Sequence, residues 1–319
     1  MKKKNGFFNK IKIRLKKINN LVLFVKRQNN LMYVYILFDI FWSYIRYGLS
    51  MDEYKLYEFY NVSSDKRKTY LSKSKYEFKR KFYLNKDILG IINDKEILYK
   101  RFNSLLNRKI LNVNDLSYKE FEDLLLKNNK IIARSINKDF VSSHKIYNIK
   151  DYRGAGFILE DIKKNKLYLV EELYDQNNDL DKITNNLVII NITTIINKNR
   201  VNILSITFNF KNNKKIIKGV INSKTLKSVG YMRDEKYSIY NQNKDYSFPF
   251  LKDMIEYCKI FAHELEEIKE ITWSFGITNK NKIYFMDAHL FDEIEFLQIP
   301  DYLNNKVGLL PKYKKYMKK

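Results

Sequence analysis

The sequence predicts an α+β fold with a helical N-terminal lobe, and three observations carry that expectation. Residues 1 to about 90 place apolar side chains at three- and four-residue spacing with no alternating stretch, which is the period of helices. Strand-like runs dominate from residue 187, at Leu187–Ile196, Val201–Phe210 and Lys215–Val220, with Asn- and Lys-rich turns between them. One long amphipathic stretch, Leu251–Ile268, then precedes two further strands, Ile271–Thr278 and Ile283–His289, joined by a tight turn at Asn279–Lys282.

Taken in order, Ser63, Ser64 and Asp65 read as a helix start. Helical segments are expected near Asp94–Asn107 and Ser117–Asn128, alternating with short apolar runs at Lys130–Ala133 and Lys166–Val170. In the run 201–210, Ile203, Ser205, Thr207 and Asn209 alternate with Leu204, Ile206, Phe208 and Phe210, so one face of that strand is polar. Along 251–268, Leu251, Met254, Ile255, Cys258, Ala262, Leu265 and Ile268 form one apolar stripe.

A chain of 319 residues with 45% hydrophobic residues can bury a sizeable core. The one cysteine, Cys258, excludes an internal disulfide and a cysteine zinc cluster, and a reducing, cytoplasmic setting is expected. A net charge of +24 invites a nucleic-acid reading. Against it, the lysines are spread along the whole chain, and a composition rich in Lys, Asn, Ile and Tyr needs only an AT-rich coding sequence. Two blocks stand out: residues 1–20 carry eight Lys or Arg and no acid, and Lys312–Lys319 carries five Lys.

Leu31–Ile45 is strongly apolar and aromatic, but it is fifteen residues long and interrupted by Asp39, short of the roughly 20 residues of a spanning helix. It has no signal-peptide cleavage pattern. It reads as a helix docked on the core; the alternative is peripheral contact of residues 1–45 with the anionic inner face of a membrane.

Several segments, in their order, resemble the sugar-transfer-associated ATP-grasp family. They are FDIFWSYIRYGLSMDEYKLYEFY at Phe38–Tyr60, Lys66–Leu71, Asn85-Lys86, Asn93-Asp94-Lys95, VEELYDQNNDL at Val170–Leu180, and TWSFGITNKNKIYFMDAH at Thr272–His289. The likeness spans about residues 35 to 300. It implies an ATP-grasp fold of two α+β lobes preceded by a helical region at 1–90 that is basic at its start. The ATP-grasp domain would run over 91–319, with a first lobe at about 91–170, a hinge at 171–175, a second lobe at about 176–300 and a basic tail at 301–319. The reaction implied is ATP-dependent ligation of a carboxylate to an amine through an acyl phosphate, in cell-surface polysaccharide assembly.

The resemblance also assigns roles. Lys95 and Arg134 would meet the nucleotide phosphates, where cations offset the charge that builds on the transferred phosphoryl group. Ser143 and Lys145 fall in the segment (Val141–Lys145) that should be a glycine-rich phosphate loop, yet it contains no glycine; Arg134 and Lys145 are the candidate catalytic cations. Glu171, Glu172 and Leu173 resemble the adenine-contacting hinge, with Asp179 (or Asp175 or Asp181) for the ribose. Asp287 and His289 would bind Mg²⁺, or Mn²⁺ given the histidine. Two departures accompany them. Asn191 stands where an arginine is expected, and Ser274 where the first metal-binding acid is expected.

Three functions are therefore open. The first is an ATP-dependent ligase acting on a small-molecule or sugar-linked substrate. The second is a degenerate ATP-grasp protein that binds nucleotide or a pathway partner without turnover. The third is a peripheral membrane or nucleic-acid binder using its basic ends. Nothing interleaves aromatic and basic residues as a single-strand binding face would.

Overall fold

The computed structural model describes the chain except residues 1, 83, 85, 103–109, 129, 136–143, 174, 185, 235, 243–245, 292 and 318–319; at 2–8, 10–11, 86–89, 230–231, 241–242 and 304 it describes the backbone only. Its helices are α1 (Lys2–Gln28), α2 (Tyr33–Tyr47), α3 (Met51–Leu56), α4 (Ser64–Arg67), α5 (Lys73–Arg80), α6 (Lys86–Asn93), α7 (Lys95–Phe102), α8 (Tyr118–Lys127), α9 (Ala155–Lys164), α10 (Leu251–Glu264) and α11 (Leu310–Met317). Its strands are β1 (Ile110–Asn112), β2 (Lys130–Arg134), β3 (His144–Asn148), β4 (Leu169–Glu172), β5 (Ile189–Asn197), β6 (Arg200–Asn212), β7 (Lys215–Ile221), β8 (Ser228–Asp234), β9 (Ile239–Gln242), β10 (Glu270–Ile277) and β11 (Ile283–His289). The chain is α+β with a helical N-terminal region. It divides into two compact units, 1–83 with 292–318, and 84–291 with 319. The segment 292–318, counted with the 91–319 domain in the sequence reading, thus groups with the N-terminal helices.

The first unit is helical. Its core joins Leu21, Val22 and Val25 of α1, Ile36 and Ile40 of α2, and Tyr54, Tyr57 and Phe59. α3 opens with a reciprocal capping box between Ser50 and Glu53, and Glu53 also accepts from Lys73 N at 2.7 Å. The C-terminal segment is tied in by the fully buried Gln298, whose amide donates to Leu71 O at 2.7 Å and accepts from Leu71 N at 2.8 Å and Leu309 N at 3.1 Å. A buried amide satisfied on both sides in this way fixes a long-range contact that its sequence neighbourhood does not announce.

The second unit holds two antiparallel sheets. The smaller has the order β1-β4-β2-β3, and the larger β11-β10-β5-β6-β7-β8-β9. α8 and α9 back the smaller sheet: Phe121, Leu124, Leu125, Ile158 and Ile162 pack with Ile131, Ala133, Tyr147 and Val170. α8 starts where expected, with Ser117 as its cap and Glu120 completing the box. Gly154, φ +154°, opens α9 in a conformation that side-chain-bearing residues rarely adopt.

α10 lies on one face of the larger sheet. Leu251, Met254, Cys258, Ala262 and Leu265 of the expected stripe are buried there, together with Phe261, against Ile190, Ile192, Ile206, Phe208, Trp273 and Phe275. Phe261 is the hub: its ring lies 4.7 Å from Phe102, 5.4 Å from Trp273 and 5.2 Å from Phe285. The short strands β1, β3, β8 and β9 were not expected from the sequence, being three to seven residues long and without clean alternation.

Candidate functional site

Period-two geometry gives the larger sheet a second face opposite α10, and that face is polar. Register lines cross it strand by strand. Asp287 on β11 pairs with Ser274 on β10, Ser274 with Asn191 on β5, and Asn191 with Thr207 on β6. A parallel line runs from His289 through Thr272 and Thr193 to Ser205. From Ser274 and Thr272 inward, all these side chains are buried. They satisfy one another: Ser274 Oγ donates to Asn191 Oδ1 at 2.7 Å, and Thr193 and Thr272 hydroxyls meet at 3.0 Å. A buried polar layer across three strands costs free energy unless it is paired in this way.

Asp287 and His289, at the edge strand, are partly exposed. Lys95 opens α7, where Asp94 Oδ1 accepts from the amides of Glu96 and Ile97 at 2.9 and 3.1 Å. Its ammonium lies 3.6 Å from the Asp287 carboxylate, with the lysine 13% and the aspartate 26% exposed. Tyr99, one turn on, donates its hydroxyl to Met286 O at 2.5 Å and so holds α7 against β11. Two residues 192 positions apart in sequence, assigned to phosphate and to metal respectively, are thereby neighbours.

Mg²⁺ takes oxygen ligands in near-octahedral array and is commonly held by one or two carboxylates plus waters and phosphates. Among the described residues no group of three or more His, Cys, Asp or Glu side chains is placed to hold a metal ion. The one carboxylate of the row, Asp287, sits beside a lysine, and Ser274 and Asn191 bond each other. The row thus offers a divalent ion one carboxylate, Asp287, with His289 two positions along the same strand.

On the smaller sheet, Arg134 and Lys145 occupy opposite faces. Arg134 pairs with His144, and Lys145 with Ala133, whose face packs on α8 and α9. Arg134 Nε lies 3.3 Å from Oε1 of Glu171, which is fully buried in the central strand β4. Lys145 instead points to Asp161 of α9 at 2.7 Å, where Tyr147 OH also donates at 2.6 Å. Those bonds, from Lys145 first and Tyr147 second, hold the Asp161 carboxyl below its ordinary range. Burial first and the bond to Asp161 second push the Tyr147 phenol up.

At the hinge, Glu171 and Glu172 end β4, and the Leu173 amide donates to Lys130 O at 3.2 Å, within the sheet. Asp179 is largely exposed, 3.9 Å from Lys182, and its amide bonds Asn177 Oδ1 at 2.8 Å. The following segment docks on the β10–β11 turn, with Asn177 N donating to Ile277 O at 3.0 Å and Asn177 Nδ2 to Asn281 Oδ1 at 2.6 Å. Ser143 lies outside the described residues.

Sequence reasoning missed Thr193, Thr272, Thr207 and Ser205 as parts of one layer, and Tyr99 as the prop beneath Met286. The alternation in 201–210 was the available signal for half of that layer. The partner strand β5 was hidden because Thr194 puts a hydroxyl on the face opposite Asn191 and Thr193, where it accepts from Trp273 Nε1 at 2.9 Å, and so blurs the alternation.

No family model matches the sequence, and no curated protein matches it. Solved structures are similar in part. An N5-carboxyaminoimidazole synthetase from Staphylococcus aureus matches at 12% identity and a TM-score of 0.41, over 63% of this chain and 45% of that one. An L-amino acid ligase from Bacillus licheniformis matches at 9% identity and 0.41, over 70% and 48%. The ATP-grasp ligase PsnB, complexed with minimal precursor, matches at 7% identity and 0.47, over 73% and 62%. The chain spans about half the length of the first two. TM-scores below 0.5 carry no argument about its reaction.

Proposed function

We propose that this chain is an ATP-grasp-type nucleotide-binding protein of the ATP-dependent ligase class, joining a carboxylate to an amine. One observation carries the reading. Asn191, Ser274 and Asp287, which the sequence resemblance assigns independently to the ligand face, share one register line opposite α10, with the Lys95 ammonium beside it. ATP would be met by Lys95 and by Arg134, whose cationic charge suits phosphate oxygens. A sugar-linked substrate and a setting in cell-surface polysaccharide assembly rest on the sequence resemblance alone.

A second reading, nucleotide binding without turnover, is favoured by the same row. Its inner members are neutral, and its carboxylate is ion-paired to Lys95. Thermal-shift titration tests the shared premise, because a ligand that binds only the native state raises its stability by mass action. ATP or ADP is expected to raise the melting temperature in a concentration-dependent way. No shift with any nucleotide, with or without Mg²⁺ or Mn²⁺, would sink both readings. ADP release with a panel of carboxylates and amines then separates them.

A further inference from the structure

The first unit carries a surface that nucleotide chemistry does not use. In α2 only Ile36, Ile40 and Ser43 are buried. At 100° per residue the opposite side presents Val34, Phe38, Phe41, Trp42 and Ile45, which are 72%, 64%, 60%, 48% and 59% exposed. The Phe38 and Trp42 rings stack at 6.4 Å and 9° on that surface. Asp39, the one acid of the helix, turns inward to Arg67 and to Tyr54 OH at 2.6 Å. A soluble surface rarely leaves an apolar face this continuous without a partner.

Positive charge dominates the unit. No acid precedes Asp39, and Lys12, Arg14, Lys16 and Lys17 of α1 are exposed. Residues 1–83 and 292–318 together contain 25 Lys or Arg against 10 Asp or Glu, a net +15 of the chain's +24. A second cluster gathers where α2 ends. Lys75 Nζ donates to Arg46 O at 3.3 Å, and burial with the fields of Arg46, Lys79 and Lys314 lowers the Lys75 pKa. Beside it Phe78 and Phe82, 63% and 76% exposed, meet edge-to-face at 5.0 Å.

We propose that this unit is a peripheral membrane-binding module that lays the Val34–Ile45 face of α2 into the surface of an anionic phospholipid bilayer, with the flanking Lys and Arg residues on the headgroups. The helix is about 22 Å long at 1.5 Å per residue, short of the ~30 Å hydrocarbon core, so it lies in the interface plane. Among the described residues no helix is long and apolar enough to cross a membrane. A second copy of the chain does not fit as the occupant, since it would oppose two units of charge +15. A nucleic acid would gain nothing from Val34 and Ile45.

Flotation of the full-length chain with phosphatidylcholine vesicles, pure or containing about 30% phosphatidylglycerol, tests the proposal. The chain should float with the anionic vesicles only. F38S/F41S/I45S and K12E/K16E/K17E should each weaken binding by about tenfold or more while leaving the melting temperature unchanged, because all six side chains face solvent. Of the two tryptophans, Trp42 is exposed and Trp273 is fully buried, so anionic vesicles should blue-shift the emission and W42F should abolish the shift. Absence of flotation, or flotation indifferent to F38S/F41S/I45S, would overturn the proposal. So would retention on oligonucleotides that K12E/K16E/K17E abolishes, with no emission shift on vesicles.

Discussion

The Ser274 hydroxyl donates to the amide oxygen of Asn191 across 2.7 Å, both buried in the polar layer of the larger sheet, at two positions where the sequence resemblance expects an acid and an arginine. The pair consists of two neutral groups that satisfy each other. S274A leaves the Asn191 oxygen without this donor and is expected to lower stability by about 1–3 kcal/mol in urea denaturation. S274A/N191L, which removes both partners, should recover part of that loss.

The Lys95–Asp287 pair supplies the test of metal use. If Asp287 answers only to Lys95, D287N leaves the ATP-induced thermal shift in place and makes it no more dependent on Mg²⁺. If Asp287 holds an ion on the phosphates, the Mg²⁺-dependent part of the shift vanishes in D287N. K95M removes this pair at a partly exposed carboxylate and should cost about 1 kcal/mol.

Glu171 is a fully buried carboxylate with Arg134 at 3.3 Å. R134M is expected to destabilise by about 3–5 kcal/mol, because it removes this cation from beside a fully buried carboxylate. R134M/E171L should restore most of the loss, since an apolar pair of similar volume carries no desolvation cost. A nucleotide-induced shift that survives in the double variant would remove Arg134 from the phosphate site.

Asp161 gives a pH prediction with a definite sign. Its folded-state pKa is lowered, so its bonds to Lys145 and Tyr147 contribute stability that is fully present above the ordinary carboxylate pKa, about 4, and is lost as pH falls through the lower folded value. Acid denaturation of the wild type and D161N should therefore run apart above about pH 5 and converge below about pH 4. Equal stability of the two at neutral pH, or a gap that persists unchanged through the acid limb, would contradict this assignment.

Phe261 touches Phe102, Trp273, Phe275 and Phe285 at the junction of α10 with the sheet. F261A should lower stability by about 3–5 kcal/mol, measured by the loss of far-UV signal on heating, because the four surrounding aromatic rings cannot close over the cavity.

Periodicity alone determined the helical first ninety residues, the strands β5, β6, β7, β10 and β11, and the stripe of α10, because each buries a face whose spacing is written locally. The sequence also marked Lys95, Arg134, Asn191, Ser274 and Asp287 one by one. What only the tertiary structure decided was their company. Ser274 meets Asn191 because β5 and β10, 83 residues apart, share a register line. Lys95 meets Asp287 because Tyr99 pins α7 to β11. Lys145 is turned from Arg134 by the parity of one strand pair, since a single step along a strand changes the face. Residues 292–318 group with the N-terminal helices through long-range bonds such as those of the buried Gln298 amide and of Leu310 N to Thr69 O. The exposure of α2 was equally beyond periodicity, which says that a face is apolar but not whether anything in the chain covers it.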